Sequence, residues 1–370
     1  MKIKKVTIRH LSMQLKHPFS TSFGTIYNKE FLLLEVEDEQ GTIGFGESVA
    51  FEAPWYTEET LKTTWHMMED FLIPLILNQE IEHPDDTLEL FKGIRKNYMA
   101  KSAIEGALWD IYVQQTNQSL AQALGGKKEK IEVGISLGIQ ETIDKQIEVV
   151  AKAVKDGYKR IKLKIKPGWD IEMMRVLREN FPDVPMMADA NSAYTLADIE
   201  KIKQLDEFNL MMIEQPLSSD DIIDHAVLQR QIKTPICLDE SIHSLEDARK
   251  AIELGSCGVI NIKIGRVGGI SEAKRIHDYC EDKGIPVWCG GMLESGIGRA
   301  HNIALTALSN FVMPGDTAGS SHYFEQDIIT PEVIARDGYI TVPQEVGIGY
   351  TPNLEAINKY TVASKTYKCV

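Results

Sequence analysis

The fold is decided by residues 160–263, which contain five short apolar runs: RIKLK (160–164), MMAD (186–189), MMIE (211–214), ICLD (236–239) and VINIK (259–263). Each run ends in a charged residue, and these ends are separated by 25, 25, 25 and 24 residues. A helix-like stretch follows each run. This rhythm is typical of repeated β–α units, because a parallel strand that is covered on both faces reads as a short apolar run.

The charged ends of these runs are Lys164, Asp189, Glu214, Asp239 and Lys263. In a β/α barrel the C-terminal ends of the strands ring one mouth, so five residues in one register are expected to converge there. Three converging carboxylates repel one another, and a divalent cation relieves this repulsion. Oxygen ligands suit Mg²⁺, with Mn²⁺ as an alternative, and no cysteine or histidine lies in register for zinc. A single aspartate here would more often cap the following helix, but the repetition favours a metal site.

The two lysines indicate proton transfer. A lysine that acts as a base near neutral pH needs its pKa lowered by about three units. Lys162 lies two residues before Lys164 and points to the same face of the strand. That second cation, a metal ion and burial are all expected to lower the pKa of Lys164. Lysines flanking a metal suggest removal of the α-proton of a carboxylate substrate, with the resulting charge held by cations.

The composition excludes several classes of function. The net charge of −14 disfavours nucleic acid and anionic membranes as partners, and no apolar run approaches the roughly 20 residues of a membrane span. The N-terminus alternates like a strand and lacks the apolar core of a signal peptide. The five cysteines form no CxxC pair, which indicates reduced packing residues in a cytoplasmic protein. The segment GRVGG (265–269) is either a phosphate-binding loop or a tight turn between a strand and a helix.

The chain divides into three parts. Residues 1–125 combine an alternating antiparallel pattern before residue 50 with helical patterns, the first beginning at Thr57 and ending before Pro74, and predict a small α+β domain. Residues 126–320 contain the β–α units, with a first strand at 132–138 and an eighth at 311–316. Residues 321–370 break the repeat and are expected to return to the first domain. Two aromatic loops, 17–24 and 51–56, are either plain connections or lids over the barrel mouth.

These motifs resemble those of the enolase superfamily. KLK (162–164) is similar to the family KxK motif, and DAN (189–191), EQP (214–216) and DES (239–241) are similar to its three metal-ligand strands, with Lys263 matching the lysine of the sixth strand. The resemblance covers nearly the whole chain. It implies an α/β fold, a (β/α)₇β modified TIM barrel with an N-terminal α+β capping domain completed by the C-terminal segment, and a homo-oligomer.

Within the superfamily, GGMLES (290–295), NIKIGR (261–266) and PGD (314–316) resemble the o-succinylbenzoate synthase branch, in the group that also contains N-succinyl (N-acyl) amino acid racemases. The first implied reaction is dehydration of a succinylated hydroxycyclohexadiene carboxylate of menaquinone biosynthesis (SHCHC). There Lys164 takes the α-proton and returns it to the leaving hydroxyl, while Lys263 stabilises the enediolate. The alternative is racemisation of an N-acyl amino acid by Lys164 and Lys263 acting from opposite faces. We favour the synthase, and both reactions use the same residues.

The resemblance also assigns supporting positions. Lys162 is expected to support Lys164, Glu240 to support Asp239, and Arg266 to tune the pKa of Lys263, although a surface cation at a helix start is the alternative for Arg266. The expected substrate-binding or supporting residues are Ser136, Asn191, Met292, Glu294 and Ser295. The expected lid residues are Ser20, Phe23, Phe51, Trp55 and Tyr56. A catalytically silent scaffold is the remaining class, and it would have no need for both lysines and all three carboxylates.

Overall fold

The structure is a computed structural model and describes residues 1–20, 24–77 and 79–369, with Ser20 described by its backbone alone. The strands are β1 (Ile3–Ser20), β2 (Thr25–Asp38), β3 (Ile43–Ser48), β4 (Lys130–Glu132), β5 (Ile135–Leu137), β6 (Ile161–Lys164), β7 (Met186–Asp189), β8 (Ile213–Glu214), β9 (Ile236–Leu238), β10 (Val259–Ile262), β11 (Val287–Cys289), β12 (Ile329–Thr330), β13 (Tyr339–Thr341), β14 (Thr351–Pro352) and β15 (Thr361–Lys368). The helices are α1 (Leu61–Met67), α2 (Ile73–Leu77), α3 (Asp86–Leu90), α4 (Tyr98–Gln115), α5 (Leu120–Leu124), α6 (Ile143–Lys155), α7 (Ile171–Asn180), α8 (Ile199–Ile202), α9 (Ile223–Gln229), α10 (Leu245–Leu254), α11 (Ile264–Val267), α12 (Ile270–Asp282), α13 (Gly296–Thr306), α14 (Ser320–Tyr323) and α15 (Leu354–Tyr360).

The centre of the molecule is a seven-stranded parallel sheet in the order β11-β10-β9-β8-β7-β6-β5. Its strands are buried because helices cover the outer face and side chains fill the interior. The eighth strand predicted at 311–316 is wrong as a strand: the segment makes only two isolated bridges, Phe311 to Val287 and Gly315 to Val133. Pro314 lies between them and has no N–H to donate to a ladder. The two bridges nevertheless link β11, at one edge of the sheet, to the residue two positions before β5, at the other edge.

A second, antiparallel sheet has the order β15-β1-β2-β3, so the last strand of the chain pairs with the first. Helix α4 packs on this sheet at very short range. A Cβ on Gly44 or Gly46 would lie 2.1 or 1.9 Å from a carbonyl oxygen of α4, so only glycine permits this approach. The predicted α/β class, with a parallel barrel sheet and an antiparallel capping sheet, is confirmed. The domain boundaries at 125 and 320 stay a prediction.

The prediction for the first helix was wrong at both ends. Thr60, rather than Thr57, caps α1 through a reciprocal pair of hydrogen bonds with Thr63. A π-helical turn at Met68–Leu72 then carries the chain into α2. Pro74 is the second residue of α2. A backbone nitrogen in the first turn of a helix has no hydrogen-bond partner within that helix, so a proline there does not end the helical region. Among the described residues, no helix has the length and apolar character that crossing a membrane requires.

Glu105 of α4 joins the cap to the barrel. Its carboxylate accepts the backbone N–H groups of Ile270 (2.7 Å) and Ser271 (2.8 Å) at the start of α12, as well as the Ser271 hydroxyl (2.5 Å) and the Trp109 indole N–H (2.8 Å). A carboxylate is favoured at a helix N-terminus. Residues 265–267 lie in the one-turn helix α11, and Gly268 and Gly269 connect it to α12. Glu105 already occupies the free N–H groups at the start of α12, so the structure favours the turn over the phosphate-binding loop.

Replacing this contact should destabilise the protein. We expect Glu105→Ala to lower the free energy of unfolding by about 2–3 kcal/mol, because it leaves buried donors of α12 without a partner. Denaturant unfolding followed by circular dichroism measures this change, with Glu148→Ala on the exposed face of α6 as the control. A loss no larger than that of the control would refute the anchoring role of Glu105.

Candidate active site at the barrel mouth

The barrel sheet brings the predicted charged residues together, but not in one register. Lys164 pairs with Asp189, and Asp189 pairs with Glu214, as the equal spacing predicts. Glu214 then pairs with Cys237, so Asp239 lies two residues further along. The prediction of a single register for all five strands was therefore wrong beyond β8. The physical reason is that strands closing into a barrel must be staggered.

The side chains nevertheless meet. The Lys164 ammonium donates to Asp189 Oδ2 (2.6 Å) and to Asn191 Oδ1 (2.7 Å). Across the mouth, the Lys263 ammonium donates to Asp239 Oδ2 (2.8 Å). Both ammonium groups are buried. The structure thus places one lysine on each side of the three carboxylates.

Electrostatics keep two of the lysines charged in this arrangement. Burial lowers the pKa of Lys162, but Asp316, Glu214 and Asp189 together raise it well above its usual range. Burial likewise opposes the charge on Lys263, but Asp239 and other nearby groups raise its pKa well above the usual value. The surrounding carboxylates therefore favour the charged form of both lysines.

The donor chemistry fits a hard divalent cation. Asp189, Glu214 and Asp239 are buried and offer only carboxylate oxygens, the ligands that Mg²⁺ prefers. Within the described ranges, no three acidic, histidine or cysteine side chains are close enough together to bind one metal ion. Lys162 lies between two of the carboxylates, 3.4 Å from Asp189 and 3.2 Å from Glu214. One buried oxygen of Glu240, Oε2, has no hydrogen-bond partner among the described residues. The site therefore supplies the right ligand type, and ligation would draw the carboxylates from their lysine partners.

The supporting residues lie close to the charged set. Arg266 is buried, donates to Ile242 O (2.6 Å) and contacts Asp239 and the Asn261 carbonyl oxygen. The alternative that Arg266 is a surface cation is therefore wrong. Glu240 accepts a hydrogen bond from Asn191 Nδ2 (3.0 Å), and thus faces the Lys164 side of the mouth.

The loop at 51–56 covers the mouth. The Tyr56 hydroxyl donates to Asp239 Oδ1 (2.8 Å), and Phe51 lines the same pocket. Trp55 is 43% exposed and packs its ring towards Gly24 of the neighbouring hairpin. These contacts favour the lid over a plain connection for this loop.

The described residues of the segment 17–24 lie at the end of β1 and just before β2. Phe19 of β1 and Ile26 of β2 line the site pocket. The lid residue Phe23 and its neighbours Thr21 and Ser22 lie outside the described residues, as does the side chain of Ser20. Through Phe19, the described part of this segment therefore forms one wall of the site pocket.

The substrate-pocket residues fall into two groups. Ser136, Asn191 and Met292 line the pocket, and the buried Ser136 hydroxyl has no hydrogen-bond partner among the described residues. Glu294 and Ser295 lie outside the lining. Glu294 accepts the Met292 N–H (2.9 Å), and the Ser295 hydroxyl caps α13 by accepting the Ile297 N–H (3.3 Å). These two residues therefore stabilise the 290–295 loop without lining the pocket.

Two buried residues of the site were not identified from sequence. Asp316 contacts both Arg160 (2.8 Å) and Lys162 (2.7 Å), and it lies at the end of the bridging segment where an eighth strand was expected. Asn261 donates to Glu214 Oε1 (2.7 Å) and lies two residues before Lys263. The period of two along a strand could have revealed Asn261, because Asn261 and Lys263 point to the same face.

The pocket around the lysines is small and opens beside a larger one. Its cavity volume is about 60 Å³, enough for a small reacting group. An adjoining cavity of about 730 Å³ shares three lining residues with it, namely Phe19, Ser136 and Tyr323. The larger cavity therefore lies next to the pocket that Lys162, Lys164 and Lys263 line.

Comparison with known proteins identifies relatives over almost the whole chain. Residues 3–125 match the family Mandelate racemase / muconate lactonizing enzyme, N-terminal domain, and residues 146–357 match the family Enolase C-terminal domain-like. The o-succinylbenzoate synthase of Geobacillus kaustophilus is 60% identical over 365 residues, which cover 99% of this chain and 97% of that protein. The N-succinylamino acid racemase of Thermus thermophilus is 45% identical over 362 residues, covering 98% of each chain.

A solved structure with the same fold contains magnesium. The dipeptide epimerase of Cytophaga hutchinsonii, complexed with Mg and the dipeptide D-Ala-L-Val, superposes with a TM-score of 0.90 at 25% identity. The alignment covers 99% of this chain and 100% of that one.

Proposed function

Because the chain belongs to the enolase superfamily, we propose that it catalyses the reaction of an o-succinylbenzoate synthase, the dehydration of SHCHC in menaquinone biosynthesis. The 60% identity to the Geobacillus synthase supports this substrate. The observation that carries the proposal is the position of Lys164 and Lys263 on opposite sides of three buried carboxylates. This arrangement suits removal of an α-proton from a carboxylate.

In the proposed reaction Lys164 is the general base and then the general acid. Asp189 and Asn191 fix its ammonium group, so the side chain is aimed before the substrate binds. Once neutral, Lys164 takes the α-proton and returns it to the hydroxyl that leaves as water. Lys162 stays charged between Glu214 and Asp316 and disfavours a second positive charge nearby.

Lys263 stabilises the charge that develops on the substrate. Its ammonium group faces Lys164 from the other side and is held by Asp239. Asp189, Glu214 and Asp239 would hold Mg²⁺, or Mn²⁺ in its place, and the bound cation would bind the substrate carboxylate and oppose its growing negative charge. Phe19 and Phe51 line the pocket and exclude water, and the larger adjoining cavity would take the succinyl chain.

Racemisation of N-succinyl amino acids is the second candidate. The observation that favours it is that Lys263 is placed like Lys164, with its ammonium group lining the same pocket. Two such groups allow removal of the α-proton on one face and its return on the other. The 45% identity to the Thermus racemase supports a second activity of this site.

The simplest test of the proposed function is direct conversion. Purified enzyme saturated with Mg²⁺ is mixed with SHCHC, and o-succinylbenzoate is measured by liquid chromatography and mass spectrometry. We expect product only with the metal-loaded enzyme, and none after chelation. Product at the uncatalysed rate would refute the synthase assignment.

Lys263 has a separable role. If it acts only by charge in the synthase reaction, Lys263→Ala should still exchange the α-proton of one enantiomer of an N-succinyl amino acid in D₂O, through Lys164. Racemisation should fall by at least about a hundredfold, because the second proton-transfer group is gone. Proton NMR of each enantiomer measures exchange and racemisation together. Loss of exchange on both faces would show that both lysines are needed for the first proton transfer.

We propose that the enzyme works in the cytoplasm as a homo-oligomer, on small carboxylates and not on nucleic acid or membranes. Its five cysteines are free, four of them buried, which is typical of a reducing compartment. Burial raises the pKa of the Cys257 and Cys280 thiols to about 12, so both are unreactive packing residues.

A further inference from the structure

Tyr56 is the residue of the 51–56 loop that reaches the reacting groups. Its hydroxyl donates to Asp239 Oδ1 (2.8 Å) and accepts hydrogen bonds from Lys263 Nζ (3.1 Å) and Arg266 Nη1 (3.3 Å). The ring takes part as well, because Lys263 Nζ lies 4.3 Å from its centroid. Tyr56 therefore contacts the Lys263 ammonium group through its hydroxyl, and its ring lies close to the same group.

Among the described residues, no hydrogen bond or ring contact joins the cap to the Lys164 ammonium group. Lys164 is held by the polar groups of Asp189 and Asn191. Of the three lysines at the mouth, Lys263 makes a cation–π contact with Tyr56 and Lys162 makes one with Trp288, whereas Lys164 makes none with a described residue. Among the described residues, the 51–56 loop therefore hydrogen-bonds to Lys263, whereas the hydrogen-bond partners of Lys164 belong to the barrel.

The loop that carries Tyr56 is anchored at both ends. Phe51 forms a bridge with Thr60, and its carbonyl oxygen accepts the Leu61 N–H (2.9 Å). Glu59, just beyond the loop, accepts the N–H of Met99 (3.0 Å) at the start of α4. The position of the Tyr56 ring is therefore set by the cap, and a lysine side chain that packs on it loses conformational freedom before substrate binds.

We propose that Tyr56 is a positioning residue for Lys263, which makes the closed 51–56 loop a requirement for proton transfer on the Lys263 face but not on the Lys164 face. This deepens the proposed function, because it rests on the two lysines acting on one bound carboxylate substrate. The 51–56 loop would then have a second role besides excluding water, because it would hold the Lys263 side chain in place for proton transfer.

The test uses two substitutions of graded severity. Tyr56→Phe keeps the ring over Lys263 and removes the hydroxyl, whereas Tyr56→Leu removes both. The readout is α-proton exchange in D₂O for each enantiomer of an N-succinyl amino acid with the full-length enzyme saturated with Mg²⁺. Lys263→Ala identifies the enantiomer that Lys164 serves, and Lys164→Ala identifies the other.

We expect exchange through Lys263 to fall about tenfold in Tyr56→Phe and about a hundredfold in Tyr56→Leu, the size of effect that a misplaced catalytic group produces. Exchange through Lys164 should change by less than about threefold. Trp55→Leu, the adjacent loop residue outside the site pocket, is the matched control and should affect both faces equally. An equal fall on both faces in the Tyr56 variants, or no fall, would overturn the proposal.

A crystal structure of Mg²⁺-loaded Tyr56→Leu keeps the proposal testable if the wild-type enzyme exchanges neither enantiomer. The Lys263 side chain should leave Asp239 or occupy several rotamers, while Lys164 keeps its contacts with Asp189 and Asn191. An unchanged Lys263 would overturn the positioning role. Wild-type enzyme that neither exchanges protons nor dehydrates SHCHC would instead refute the proposed function.

Discussion

Lys164→Ala is expected to lower SHCHC dehydration by at least about a hundredfold and by up to about ten-thousandfold, the range that a general acid–base group contributes. The residue that takes the α-proton has no substitute on its own face of the pocket. Lys162 lies two residues away, but its ammonium group is held by Glu214 and Asp316. Lys263 approaches from the opposite face.

Steady-state turnover of SHCHC by the Mg²⁺-saturated variant measures this effect. Lys166→Ala is the matched control, because Lys166 has the same side-chain parity two residues further on but is exposed. Calorimetry of Mg²⁺ binding to Lys164→Ala should show that the metal site survives. Turnover close to that of the control would remove Lys164 as the base.

Asp239→Asn is expected to weaken Mg²⁺ binding by more than about tenfold to a hundredfold, the loss typical of groups that only support metal ligands. The substitution removes a negative charge and an anionic ligand. It also leaves Lys263 and Arg266, which both contact Asp239, as uncompensated cations beside the metal. Each of these effects acts against a bound dication.

Isothermal titration calorimetry with Mg²⁺ tests this prediction. Asp220→Asn is a suitable control, because Asp220 is an exposed acid in the loop that follows β8. Its affinity for Mg²⁺ should equal that of the wild-type enzyme. Unchanged affinity in Asp239→Asn would exclude Asp239 as a ligand.

The sequence was most informative where chemistry repeats at a fixed interval. The spacing of the apolar runs predicted the parallel sheet, and the charged end of each run predicted which side chains meet at the mouth. These are local features, since each strand carries its own apolar pattern and its own polar end. The stagger beyond β8 was not predictable in this way, because it is imposed by closure of the whole sheet.

Contacts between distant segments were also missed. Tyr56 is 183 residues from Asp239 in the chain, and Glu105 is 166 residues from Ser271. Neither residue carries a periodic pattern that marks its partner, because each acts across the surface between cap and barrel. The continuation of helical structure past Pro74 was not predicted for a different reason. A π-helical turn lies directly before α2, and the sequence pattern did not indicate it.

The central claim is that the two lysines and three carboxylates serve SHCHC dehydration first and racemisation second. The most direct measurement is kcat/KM for SHCHC beside kcat/KM for a panel of N-succinyl amino acids, with one preparation of Mg²⁺-loaded enzyme. We predict that the value for SHCHC equals or exceeds that of the best amino acid derivative. A value for SHCHC far below that for an N-succinyl amino acid would contradict the claim and make the chain a racemase.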